Sequence, residues 1–217
     1  MKKSYMAPLL VILLTFLISL YFYPQLPEEL ASHWNAQGEV DDYMPKFWAL
    51  FLMPIISSLM LLLFIVIPTI DPLKNNIKKF RNYFDTFVLM IIIFMFYIYL
   101  LTLLWNLGTR FDMLQLLMPA IGLIFYYAGV LTENSRRNWF IGIRTPWTLS
   151  DERVWNKANK LGGKIFKVSG IIAVLSLLIP DYSLIVVLVP VILGSIYVVV
   201  FSYFEYMRLN RGRMRRR

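Results

Sequence analysis

Six apolar stretches, at roughly 7–23, 47–70, 86–107, 113–132, 165–180 and 183–204, take up most of this 217-residue chain. A helix needs ~20 apolar residues to cross a ~30 Å hydrocarbon layer, and most of these runs approach that length. The fifth is short, but Lys164 and Lys167 can snorkel and extend it. Hydrophobic residues make up 59% of the chain and charged ones only 16%, where a soluble domain carries about a quarter charged. The first run follows Lys2 and Lys3 as a signal peptide would. It exceeds a typical apolar core of such a peptide, and YPQLPEEL follows with no small-residue cleavage site, so it reads as a retained span. The expected fold class is an all-α integral membrane protein with six transmembrane helices.

Charge placement orients that bundle. Of the 22 basic residues, 20 fall at the N-terminus, between spans two and three, between spans four and five with the start of the fifth, or in the C-terminal tail. Only Lys46 and Arg110 lie elsewhere. The positive-inside rule then puts both termini in the cytoplasm. The net charge of +9 accordingly reads as membrane orientation, with no direct nucleic-acid partner expected. The expected location is the bacterial cytoplasmic membrane, multi-pass, with membrane lipids as partners.

The organisation suggests an N-terminal two-helix unit with its outer loop (1–70) and a four-helix unit (71–217), together one compact membrane domain. In the outer loop, Pro27 followed by EELASHWN predicts a short helix with proline in its first turn, and AQGEVDD a turn. Spans two, four and six each carry proline followed two positions later by isoleucine (Pro54 and Ile56, Pro119 and Ile121, Pro190 and Ile192). Either three related hairpins repeat along the chain, or proline is tolerated near helix starts by chance.

Apart from Lys167 near the start of the fifth, the apolar stretches hold no Asp, Glu, Lys, Arg or His. Proton relays and intramembrane hydrolysis need such groups, and the absence of cysteine removes thiolate chemistry. An enzyme is therefore not expected, nor a cofactor. His33, the single histidine, would share a helix face with Glu29 and suggests two metal ligands, with Asp41 or Asp42 a third. The competing reading has His33 and Trp34 anchoring at headgroup depth, and no metal site is expected. The tail RLNRGRMRRR reads as a stop-transfer anchor or as a docking point for a cytoplasmic protein.

The segment 138–155, NWFIGIRTPWTLSDERVW, is the least lipid-like part of the chain and falls between spans four and five. Ser150 or Thr148 can cap a helix beginning DERVW, with Asp151 and Glu152 favourable against its dipole. That helix is expected to turn Trp155 and Leu161 toward the membrane and to bend at Gly162–Gly163 into the fifth span. Gly142 permits a tight backbone. Trp139, Phe140 and Trp147 are expected to tuck against the inner helix ends, with Arg144 as the pinning charge.

These residues carry a resemblance. N-x-F-x-G-I-R-T-P-W-T-L-S-D-E-x-V-W, from Asn138 to Trp155, resembles the signature of the SdpI membrane protein family, named for an immunity protein that protects Bacillus from its own secreted killing peptide. LPEELASHWNAQGEVDDYMPK resembles the N-terminal domain of unknown function often joined to it. The resemblance implies protection against an extracellular peptide toxin and retention of a small winged-helix repressor at the cytoplasmic face. It marks Asn138, Phe140, Gly142, Arg144, Thr145, Pro146, Trp147, Ser150, Asp151 and Trp155 as a cytoplasmic binding segment. In the outer loop it marks His33, Trp34, Asn35, Gly38 and Asp41. The alternative is a transporter or lipid-handling protein with an outward vestibule.

Overall fold

The computed structural model describes residues 3–214. Arg215, Arg216 and Arg217 of the basic tail lie outside the described residues, as does Lys2. Eight α-helices and one two-stranded sheet follow in the order α1 (Met6–Phe22), β1 (Glu29–Trp34), β2 (Val40–Pro45), α2 (Lys46–Ile70), α3 (Lys74–Lys79), α4 (Arg81–Asn106), α5 (Met113–Asn134), α6 (Pro146–Ser150), α7 (Glu152–Leu175) and α8 (Ser183–Met214). Six of the helices, α1, α2, α4, α5, α7 and α8, are long and apolar enough to cross a membrane. The chain is a multi-pass membrane protein. The described ends of the chain, α3 and the segment 135–151 lie together at one end of the bundle, called here the basic end. The β-hairpin and the two short connections lie at the other, the hairpin end.

Two apolar clusters hold α1, α2 and α4 together. Toward the basic end, Ile12, Leu61, Phe84, Val88 and Ile92 pack around Tyr5, Ile77 and Phe80. Toward the hairpin end, Leu26, Leu30, Leu50, Tyr99 and Leu103 do so. Between lipid-solvated helices, specificity comes from packing and polar contacts rather than from expulsion of water. Ser19 shows this: its hydroxyl lies 2.8 Å from the Leu50 carbonyl and 2.9 Å from the Tyr99 hydroxyl, joining three helices at one atom. The outward face of α1 (Leu10, Leu13, Leu17, Leu20) stays exposed, as a lipid-facing surface does.

The pair α5 and α7 approaches more closely than ordinary side chains permit. A Cβ on Gly129 would lie 2.5 Å from the Gly163 carbonyl, and one on Gly170 would lie 2.5 Å from the Gly122 carbonyl. The two glycines are seven residues apart in each helix, so they stack on one face two turns apart. Phe125 and Phe166 stack beside them, 6.2 Å apart. Met118 and Ala173 meet Val187 of α8, with Phe125 packed against them.

The structure departs from the sequence pattern in three places. In place of the expected helix after Pro27, the outer loop forms an antiparallel hairpin, β1 on β2. A helix this short has little stability of its own. Burial of Leu30 and Ala31 against α2 and α4 decides instead. No bend separates an interfacial segment from the fifth span: α7 runs unbroken from Glu152 through Gly162 and Gly163. Those glycines are spent on close approach, with no bend. Its cap is Asp151, whose carboxylate accepts from the Arg153 amide at 2.8 Å, rather than Ser150 or Thr148.

Candidate functional site

The segment between α5 and α7 is folded around buried polar side chains. Asn138 is fully buried. Its carbonyl oxygen accepts from the Phe140 and Ile141 amides at 2.9 and 2.7 Å. Its amide nitrogen donates to the Arg136 and Ile141 carbonyls at 2.7 and 2.9 Å. All four bonds go to backbone, so the asparagine stands in for a turn of regular structure and satisfies groups that burial would otherwise leave costly. Asp71, after α2, accepts from Leu73 at 2.6 Å with one oxygen and from the Trp139 amide at 2.9 Å with the other. Asn76 of α3 donates to the Arg137 carbonyl at 2.8 Å.

Farther along, Asn159 of α7 accepts from the Ile143 amide at 2.7 Å. Gly142 has φ +104°, a backbone that side chains rarely adopt, and a Cβ there would meet the Asn159 side-chain oxygen at 2.5 Å. Only glycine fits. Thr145 then starts α6 with a reciprocal cap: Thr148 donates its amide to the Thr145 hydroxyl, and Thr145 donates its own to that of Thr148 at 2.8 Å. Pro146 occupies the first helical position, where it costs no hydrogen bond. The Thr145 hydroxyl also shares a hydrogen bond of 3.0 Å with Ser202 of α8, and Trp147 packs edge-on against Tyr203.

Of the residues expected here, Asn138, Gly142, Thr145 and Trp155 form one buried assembly. Trp155 does not face the membrane. It is fully buried against the position a Gly142 side chain would need, and its indole N–H donates to the Ser135 carbonyl at 3.3 Å. Trp139 and Phe140 are not tucked in; they are 52% and 36% exposed. Arg144 is exposed and donates to the Trp139 carbonyl at 2.8 Å, a bond within the segment itself rather than to a neighbouring span. Ser150 donates back to Pro146 at 2.6 Å. Asp151 pairs with Arg153 at 2.8 Å, and those hydrogen bonds hold its carboxyl well below the usual carboxylate range. Sequence reading passed over Asp71, Asn76, Ser135, Asn159 and Ser202. Asp71 was legible as the turn former in IDP, but the others stand at ordinary helical or loop positions.

At the hairpin end, Asn35 builds the turn by accepting from the Gln37 and Glu39 amides at 2.9 and 3.0 Å. Gly38 sits in it at φ +78°. His33 pairs with Asp41 across the strands at 2.5 Å rather than with Glu29, and both remain solvent-exposed. Among the described residues no three His, Asp or Glu side chains gather as a metal site would need. Trp34 meets Trp105 edge-on at 5.7 Å, and Arg110 lies 3.8 Å over the Trp105 ring. The Asn106 side chain joins both backbone groups of Ala31, at 2.9 and 3.0 Å, sealing the hairpin edge onto α4.

Over 214 residues the chain is 30% identical to "Immunity protein SdpI" of Bacillus subtilis (strain 168), an alignment spanning 98% of this chain and 100% of the relative. The chain belongs to the SdpI/YfhL protein family. The SdpI/YfhL family model matches residues 134–203, from the end of α5 to the tyrosine that Trp147 touches. That of a Domain of unknown function (DUF1648) matches residues 10–57, which take in most of α1, the hairpin and the first half of α2. No solved structure matches. In this SdpI/YfhL member the first matched region holds the hairpin and the second holds the buried loop after α5.

Proposed function

We propose that this protein is an immunity protein of the bacterial cytoplasmic membrane that protects the cell against a secreted peptide toxin. The observation that carries the proposal is the match to a protein of that name along its entire length. The basic end faces the cytoplasm on this reading, in keeping with the positive-inside rule, and the hairpin faces the toxin. His33, Trp34, Asn35, Gly38 and Asp41 lie on that hairpin, with His33 and Asp41 exposed and paired. No catalytic step is assigned.

The finer part of the proposal is that the basic end holds a small winged-helix repressor while toxin is bound. What supports it is an ordered loop that leaves Trp139, Phe140 and Arg144 exposed, a combination of aromatic and arginine favoured at protein interfaces. The primary test is survival of a deletion strain in spent medium from its toxin-secreting parent. Restoration of survival by a plasmid copy is expected; equal survival of deletion and parent strains sinks the proposal. For the repressor, co-purification from toxin-treated membranes should fall at least tenfold in Trp139→Ala/Phe140→Ala while survival persists.

A further inference from the structure

One flank of the α5–α7 contact carries two cavities in line. Near the basic end lies a polar one of about 230 Å³, with Arg136 and Lys160 at its mouth and Asn156 beside them. Ser135 and Asn159, both almost completely buried, also line it. Farther along the same helix faces lies an apolar one of about 270 Å³, lined by Leu123, Tyr126, Ile171 and Val174 over the Gly122–Gly170 contact. The glycines bring the helix axes together, and the side chains flanking them leave a furrow instead of a ridge.

The spacing and the charges both select an amphiphile. From Glu133 to Leu123 along α5 is ~15 Å at 1.5 Å per residue, which is half the ~30 Å hydrocarbon layer. A molecule with its polar group in the first cavity would thus place its chain in the second at the depth of one leaflet. Glu133 is matched by Lys167. The C-terminal carbonyls of α5 are partly engaged as well, since Asn134 donates to Val130 and Ser135 to Thr132, each at 2.8 Å. Arg136 and Lys160 are exposed and enter no ion pair among the described residues. The cavity therefore presents two uncompensated cations, with the Asn156 side chain beside them, which suit a phosphate.

We propose that this furrow is a binding site for an anionic phospholipid of the leaflet at the basic end, its phosphate between Arg136 and Lys160 and one acyl chain over the Gly122–Gly170 contact. The test is native mass spectrometry of the full chain released from nanodiscs holding equal phosphatidylglycerol and phosphatidylcholine. The expected result is a retained phosphatidylglycerol adduct, with little phosphatidylcholine. Each basic residue near an anionic headgroup contributes roughly a fivefold factor in binding. Arg136→Gln/Lys160→Gln should therefore lower retention at least tenfold. Val174→Trp, which fills the apolar cavity while leaving both cations, should also lower it severalfold. Equal retention of the two lipids, or undiminished retention in either variant, overturns the proposal. So does inorganic phosphate at millimolar concentration displacing the lipid completely, which would show a phosphate site without a chain site. Circular dichroism of each variant guards against reading misfolding as lost binding.

Discussion

Gly142 and Arg144 are two residues apart in the same loop and carry very different loads. Gly142 has a backbone conformation only glycine adopts readily, and a side chain would collide with Asn159. Arg144 contributes one exposed hydrogen bond. Gly142→Val should cost about 3 kcal/mol or more of local stability, and Arg144→Lys under about 0.5. Limited proteolysis between Arg136 and Arg153 in detergent should distinguish them, with rapid cleavage in the first variant and a wild-type pattern in the second. Asp151 adds a pH effect. Its carboxyl is held low by Arg153, so its stabilisation is complete above the ordinary value of about 3.9 and is lost only as pH falls through the lowered one. Arg153→Ala should move that loss upward toward pH 4. The thermal midpoint of this variant should lie below that of wild type at pH 6, and the gap should close as pH falls from about 4 toward 2.

Among the elements, α5 and α7 form the closest pair, and their contact makes a quantitative demand. Gly163→Leu places side-chain carbon where the Gly129 carbonyl and the Glu133 backbone already are, and neither is a flexible group that can give way. A drop of about 10 °C or more in the thermal midpoint is expected, against little change for Leu161→Ala on the same helix. The helices themselves were legible in the sequence because a span is decided by the length of an apolar run. The glycine pairing was present too, as GLIFYYAG and GKIFKVSG, but each copy is meaningful only beside the other. The hairpin was not legible. EELASHW becomes a strand because Asn106, far along the chain, supplies the partner for Ala31, and no local pattern carries that information. The direction of Trp155 was misread for the same reason: the inward side of α7 is set by the loop that folds onto it. In the candidate segment the turn and cap formers Asn138, Gly142 and Thr145 could be picked out, whereas Asn159 and Ser202 owe their importance to what they meet.

For the whole molecule, the alternation of six spans leaves one binary question, which side the basic end faces. Reporter fusions at Gly38 and Arg217 answer it, with an external signal expected at the first and a cytoplasmic one at the second. An external signal at Arg217 would reverse the proposed roles of the two ends. The basic end also has an order of assembly built into it. The loop after α5 is fastened to Asp71 and Asn76 behind it and to Asn159 and Ser202 ahead of it. A ribosome adding about 5–20 residues each second needs on the order of ten seconds to travel from the first of these to the last. During that interval the Asp71 carboxylate first waits for Trp139, and the Thr145 hydroxyl, once made, then waits for Ser202. The loop closes only when the sixth span arrives, so a nascent chain halted before α8 would leave the basic end unlatched, and its exposed polar groups would mark the protein as unfinished.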